Sequence, residues 1–318
     1  MTKPKGYKDA VPVGTLDVHV KGPSFDGTVP ARFLINYQQN MAVWAEFTPT
    51  GTVSMSILPE EVQITAPGRL EGFPAVMNGV VNLQERSRPF FVRLIPLREP
   101  LEASPAKGLT EVSFALLDSP IAGVSDLGPE PLILQCGQFD IKVTTPTAAH
   151  VKISRALGPS PHRLTNSVLI TERFGKPFSS ADVRIALDTF HTAASFAAGH
   201  WIGMILIEGK GPPQNPAWFR WGRMLMSPTA QGFSWYDPRH TVWLKPLCNA
   251  FRQLQSNDEV WEPIKTALYW YQRSNNRGAG IDSSLILSQC ALELLSWFVI
   301  VKKTGALSEE GYGQLGAC

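Results

Sequence analysis

The chain has 318 residues, 44% hydrophobic and 18% charged, with 29 Lys and Arg against 27 Asp and Glu for a formal net charge of +2. That length holds two domains with substantial cores, and that composition excludes a disordered chain. The near-balance of charge excludes the long-range field of a typical nucleic-acid binder and leaves only a local patch for such a role.

The N-terminal stretch MTKPKGYKDAVPVG is polar and lacks the apolar core of a secretory signal. Residues 1–157 read as a β-rich domain. Thr15–Val20, Ala31–Tyr37, Met41–Phe47, Val53–Leu58, Phe90–Leu97, Val112–Leu117 and Leu132–Cys136 are short runs rich in Val, Ile and Phe, bounded by Gly, Pro, Asp or Asn. Several alternate apolar and polar residues, which predicts one buried and one wet face, hence a sandwich or a curled sheet. Gly158, Pro159 and Pro161 make residues 158–166 the expected linker.

Residues 167–245 read as a small α/β module. A strand at Ser167–Arg173 precedes a helix with clear punctuation: Ser179 as its cap, Asp182 at the third position and Gly199 after its end. Trp201–Ile207 and Trp218–Met226 read as two further strands. From 246 to 318 the period turns helical. Leu247, Ala250, Phe251 and Leu254 mark one helix, and a second is expected to carry Pro263 in its first turn. Asp282 or Ser283 caps a third, Leu285–Lys303, apolar on most sides and so expected to be buried. Its apolar run is broken by Ser288, Gln289, Glu293 and Ser296, which makes it too short and too polar to span a bilayer. The class is α+β, and the expected location is cytoplasmic with no membrane partner.

Phosphate-binding loops, nucleophile elbows and H-E-x-x-H are absent from the sequence. Cys136, Cys248, Cys290 and Cys318 form no C-x-x-C pair, so neither a zinc ribbon nor a disulfide framework is expected, and no metal or cofactor. Arg184 and His191 lie seven apart on one helical stripe, a pairing able to hold a phosphodiester and move a proton. On an otherwise packing-type helix the same spacing also describes a solvated flank. Trp218, Trp221 and Trp235, with Arg220, Arg223 and Arg239 among them, fit either a stacking platform for bases or an aromatic core.

GKPFSSADVRIALDTFHTAASFAAGHWIGMILIEG, FSWYDPRHTVWL, ALYWYQRSNN and DSSLILSQCALELLSW together resemble a family of bacterial proteins with a β-rich N-terminal region and a HEPN-like helical C-terminal region. Some relatives of this layout belong to anti-phage, abortive-infection systems. The resemblance implies an RNase motif, Arg-polar-x-x-x-His, downstream of Gly305–Leu315, and this chain has none there, so its helical region is expected to be truncated. A non-catalytic sensor or interaction protein follows, in a phage-defence setting, with an RNA binder or RNase built on Arg184/His191 or the Trp/Arg cluster as the alternative. Leu292, Glu293, Leu295, Trp297 and Phe298 are the expected interface of a homo-oligomer.

Overall fold

The structure, a computed structural model, describes residues 10–23, 25–36, 42–48, 59–66, 70–80, 91–96, 100–119, 121, 131–146, 148, 151, 163–211, 218–222, 226–227, 235–237, 243–275 and 280–315. It is an α+β protein, β-rich at the N-terminus and helical at the C-terminus.

Six strands, β1 (Ala10–Lys21), β2 (Asp26–Asn36), β3 (Ala42–Phe47), β4 (Glu60–Ala66), β5 (Leu70–Val80) and β6 (Phe91–Pro96), close into an antiparallel barrel of order β1-β2-β3-β6-β5-β4. Alternation drives this closure. Val18 and Val20, Ala31 and Phe33, Ala45 and Phe47, Ile64, Ala75, Met77 and Leu94 are buried, and closing the sheet leaves no edge unpaired. The seam, where β1 meets β4, needs Gly22: a Cβ there would stand 2.5 Å from Val62 Cγ1. The expected sandwich or curled sheet is therefore a closed barrel. The expected strand Val53–Leu58 lies outside the described residues.

Seven further strands form one sheet of order β7-β13-β12-β8-β11-β10-β9. They are β7 (Leu101–Glu102), β8 (Glu111–Leu117), β9 (Leu132–Cys136), β10 (Phe139–Thr144), β11 (Leu164–Glu172), β12 (Gly203–Lys210) and β13 (Trp218–Trp221). This sheet draws strands from both sides of residues 158–166. β10 and β11 are hydrogen-bonded neighbours, Phe139 opposite Glu172 through Thr144 opposite Ser167. The stretch read as a linker thus lies on the connection between two paired strands, and the change from barrel to sheet falls after Pro96. Proline and glycine mark a connection of either kind, so composition alone misplaced the boundary.

The sheet is covered on both faces. On one, Phe33 of the barrel meets Trp221 with ring centroids 5.8 Å apart. On the other lies α1 (Ser180–Ala198), whose Phe190 meets Phe114 of β8 at 5.8 Å. Ser179 and Asp182 form a reciprocal capping box, and Gly199 ends the helix at φ 72°. α2 (Leu244–Leu254) and α3 (Asp258–Ser274) follow. Asn257 caps α3 through its side chain, so the helix starts earlier than expected and Pro263 sits inside it, where it has no N–H for the Glu259 carbonyl.

α4 (Ile281–Trp297) continues as a π-helical turn, Phe298–Lys303, and α5 (Glu309–Leu315) folds back on it, Lys302 pairing with Glu309. Gly280, at φ 81°, starts α4, and its carbonyl takes the Ser284 N–H and hydroxyl, so Asp282 and Ser283 lie inside the helix they were expected to cap. The expectation that this segment is too short and too polar fails here. The continuous helix Ile281–Lys303 has 23 residues, long and apolar enough by length and composition to cross a membrane, and only 6% of its apolar window is buried.

The α1 cap is open to test. Replacing a capping hydroxyl costs about 1 kcal/mol, so Ser179→Ala should lower the denaturation free energy by that order. The Ser179 hydroxyl, with its backbone N–H, holds the Asp182 carboxyl below its ordinary value. A depressed carboxyl contributes stability that is present above its unfolded pKa and lost as pH falls through the folded one. The gap between wild-type and Ser179→Ala denaturation curves should therefore narrow in acid, as pH falls below about 4, and leave the part that comes from the Asp182 N–H on the hydroxyl.

Candidate functional site

Arg184 and His191 leave α1 for different neighbours. The Arg184 Nε and Nη2 both stand 2.6 Å from Glu102 Oε1 on β7. Arg220 of β13 joins the same carboxylate, its Nε 3.9 Å from Glu102 Oε2, and its Nη1 lies 3.7 Å from Asp188. His191 is buried, its Nε2 2.9 Å from the Ile202 carbonyl and its ring stacked on Trp201 at 5.6 Å. One group clamps α1 to the sheet edge and the other packs beneath Trp201. They do not converge on one opening, and Glu102 already balances the Arg184 charge.

The tryptophan platform is likewise divided. Trp218 and Trp221 are 0% and 2% exposed, core residues of β13, with Trp221 stacked on Phe219 at 4.0 Å. Trp235 is exposed and donates its indole N–H to the Phe196 carbonyl at 3.0 Å. Arg223 and Arg239 lie outside the described residues. Beside Trp221, burial pushes the Glu208 carboxyl up, an effect the indole and Lys210 only partly offset. Cys136 and Cys248 are buried free thiols pushed up by desolvation, the opposite of an activated nucleophile. Among the described residues no group of three His, Cys, Asp or Glu side chains could hold a metal ion.

Two surface features remain. The first is a cleft of about 620 Å³ between α1, α2 and α3. Ile185, Asp188 and Thr192 line it from α1, Gln255 from the end of α2, and Trp261, Lys265, Thr266 and Tyr269 from α3, with Trp201 completing the wall. Thr189 Oγ1 binds Gln255 Oε1 at 2.5 Å and so ties α1 to α2. None of Ile185, Asp188, Lys265 or Tyr269 was expected as a site residue. The i, i+3, i+7 spacing of 185, 188 and 192 placed them together, but only the course of α3 gives that stripe a facing wall.

The second is the outer face of α4. Ser288, Ala291, Leu292 and Leu295 meet Phe196 of α1 and Ile264, Ala267, Leu268 and Tyr271 of α3 around an apolar slot of about 340 Å³, with Leu292 at its outer rim. Outside, Ile281, Leu285, Ile286, Leu292 and Val299 are exposed, Leu292 to 66%. Of the expected interface, Leu292 and Glu293 lie on this outer face, Leu295 and Trp297 are half-buried, and Phe298 points inward. Lys302 covers the Trp297 ring at 5.1 Å.

Residues 117–232 match the model of a YopA central domain, and residues 257–317 that of a YopA C-terminal domain. No curated protein and no solved structure matches the chain. The chain is thus similar to YopA domains over β9 to β13 with α1 and over its last three helices, and the cleft draws residues from both matched segments. Neither description mentions a HEPN-like region, RNA or phage defence.

Two substitutions test the electrostatics. Removing one member of a buried pair strands the other, and partial exposure tempers the cost. Glu102→Ala should therefore destabilise by roughly 1–3 kcal/mol in urea melts, more than Arg184→Ala, because it frees two guanidinium groups at once. Glu208 has the reverse sign. An acid raised in the folded state loses stability as pH rises from its unfolded to its folded pKa, so Glu208→Gln should raise the melting temperature at pH 7 and give no gain at pH 4.

Proposed function

We propose that the protein is a non-catalytic interaction protein that assembles with a second copy of itself through α4, the two helices running antiparallel. The observation that carries this is a stripe of seven residues on the outer face: Asp282, Leu285, Gln289, Leu292, Ser296, Val299 and Lys303, of which all seven are exposed. Their spacing alternates three and four, as in the heptad seam of a coiled coil, with Leu285 and Leu292 at one core position of the α-helical part and Val299 and Lys303 on the π-helical turn that follows. Exposed Leu285, Leu292 and Val299 along one face of a helix, flanked by exposed Ile281 and Ile286, are the kind of apolar surface that marks an interface.

Charge selects the partner and its direction. Asp282 opens the stripe and Lys303 closes it, and neither takes part in an ion pair among the described residues. Antiparallel pairing about the Leu292/Glu293 midpoint sets Asp282 against the partner's Lys303 and Gln289 against the partner's Ser296. A parallel pair would set like against like. Burial in a bilayer is disfavoured by Glu293 near the helix centre, where a carboxylate costs several kcal/mol, and by α3 alongside, which carries Glu262 and Lys265. The alternative of an RNA binder or RNase draws nothing from Arg184 and Arg220, whose charges Glu102 and Asp188 already balance. A phage-defence setting rests on the sequence resemblance alone and adds nothing to this reading.

Light scattering on the chromatographed protein at tens of micromolar tests it. The wild type should elute as a dimer and Leu292→Glu as a monomer with an unchanged circular dichroism spectrum. Asp282→Lys should weaken the dimer, and adding Lys303→Asp should restore it. A wild-type monomer, or protein that floats with lipid vesicles, would refute the assembly.

A further inference from the structure

The cleft between α1, α2 and α3 has a chemistry that α4 pairing does not use. We infer that it binds a small, uncharged, planar heterocycle of the nucleoside type. Its volume, about 620 Å³, falls in the range of small-molecule sites. Its walls are aromatic and held from behind. Trp201 has His191 stacked on it, with that imidazole fixed on the Ile202 carbonyl. Trp261 is braced edge-on by Phe251 at 6.0 Å, and Arg273 lies 5.8 Å from the Tyr269 ring centre. Rings supported in this way offer stacking faces whose ordering cost was met on folding.

Charge narrows the ligand. The cleft holds one acid and one base, Asp188 and Lys265, and each already has a counter-ion outside it: Arg220 Nη1 3.7 Å from Asp188, and Glu262 Oε1 2.6 Å from Lys265. A phosphate therefore meets no unbalanced cation, which separates this site from a nucleic-acid groove. Hydrogen-bonding groups do remain for an uncharged rim. The Thr192 hydroxyl donates to the Asp188 carbonyl and keeps its lone pairs for an incoming donor. The Thr266 hydroxyl makes no hydrogen bond among the described residues. The Gln255 amide meets the Thr189 hydroxyl, which the Ile185 carbonyl also engages, and keeps its other polar end for a ligand. Stacking faces with donors and acceptors at their rim, and no net charge, are what a heterocyclic base requires.

Saturation-transfer NMR and calorimetry with adenosine, guanosine, cytidine and uridine, each beside its 5′-monophosphate, test this on the full chain. At least one nucleoside should bind, and its monophosphate should bind no more tightly. Trp261→Ala should weaken binding by about tenfold or more. Trp261 also packs on Phe251, so Thr192→Trp gives a second arm: it fills the cleft from a partly exposed position and should abolish binding with the melting temperature unchanged. Absence of binding by all four nucleosides at millimolar concentration would overturn the inference. So would a monophosphate preferred tenfold, or binding that survives Thr192→Trp. Repeating the titration on the Leu292→Glu variant separates this outcome from that of α4 pairing.

Discussion

The packing of α1 on the seven-stranded sheet sets every other position on the helical side. Val183, Leu187 and Phe190 each bury a large side chain there, at about 1.5–3 kcal/mol apiece. Ala186, Ala193, Ala194 and Ala197 between them let the helix approach closely. The contact fixes depth but leaves rotation to be set at the ends. Ser179 and Asp182 hold the first turn, Glu102 draws Arg184 to the sheet edge, and Gly199 turns the chain so that Trp201 returns under His191. With the rotation fixed, residues 185, 188 and 192 face outward together, and Phe196 faces the helices that follow.

How much of this could be read from the sequence depends on the range of the interactions involved. The α1 ends are local: a hydroxyl, a carboxylate three residues on and a terminal glycine determine them, and the structure has them where the pattern put them. β1, β2, β3, β6, β8 and β9 carry period-two alternation and were legible for the same reason. β4 and β5 were missed because Glu60–Ala66 and Leu70–Val80 hold charged residues, proline and glycine that propensity counts against a strand, and barrel closure overrides it. The linker was misread because proline and glycine mark any connection, and pairing between β10 and β11 is a long-range fact. The cleft was not legible at all, since its two walls are separated by the chain between α1 and α3.

Arg184, Arg220, Trp218 and Trp221 pack and pair at the sheet edge for a shared reason. Arginine and tryptophan offer long apolar surfaces with a polar tip, and a sheet whose edge strands are short uses both. β7 has two residues and β13 four, too few for the ladder alone to hold the edge. Trp218, Phe219 and Trp221 supply burial, and Arg220 and Arg184 on one carboxylate supply the clamp. On the covering helix, Arg184 takes part in that clamp while His191 turns to the Ile202 carbonyl. Glu102, two residues from a loop and unremarkable in the sequence, is the group on which both arginines depend.

The cleft and the α4 face are two sides of one helix. Trp261, Lys265 and Tyr269 of α3 line the cleft, while Ile264, Ala267, Leu268 and Tyr271, one to three positions away, line the slot against α4. The slot is loosely filled because Ala267, Ser288 and Ala291 are small. The residues that face each other across it leave about 340 Å³ of apolar space that opens toward the surface. On the α1 side α3 is held more firmly, by the Phe196–Tyr271 contact at 5.3 Å and the Asn275 amide on the Gly199 carbonyl at 3.0 Å, both near its C-terminal end. Its N-terminal half, where Trp261 and Lys265 lie, has no such tether to α1 among the described residues. The helix is thus anchored on α1 at the end near Gly199 and on α2 at the cleft, where Trp261 meets Phe251, so both contacts hold the cleft wall in place.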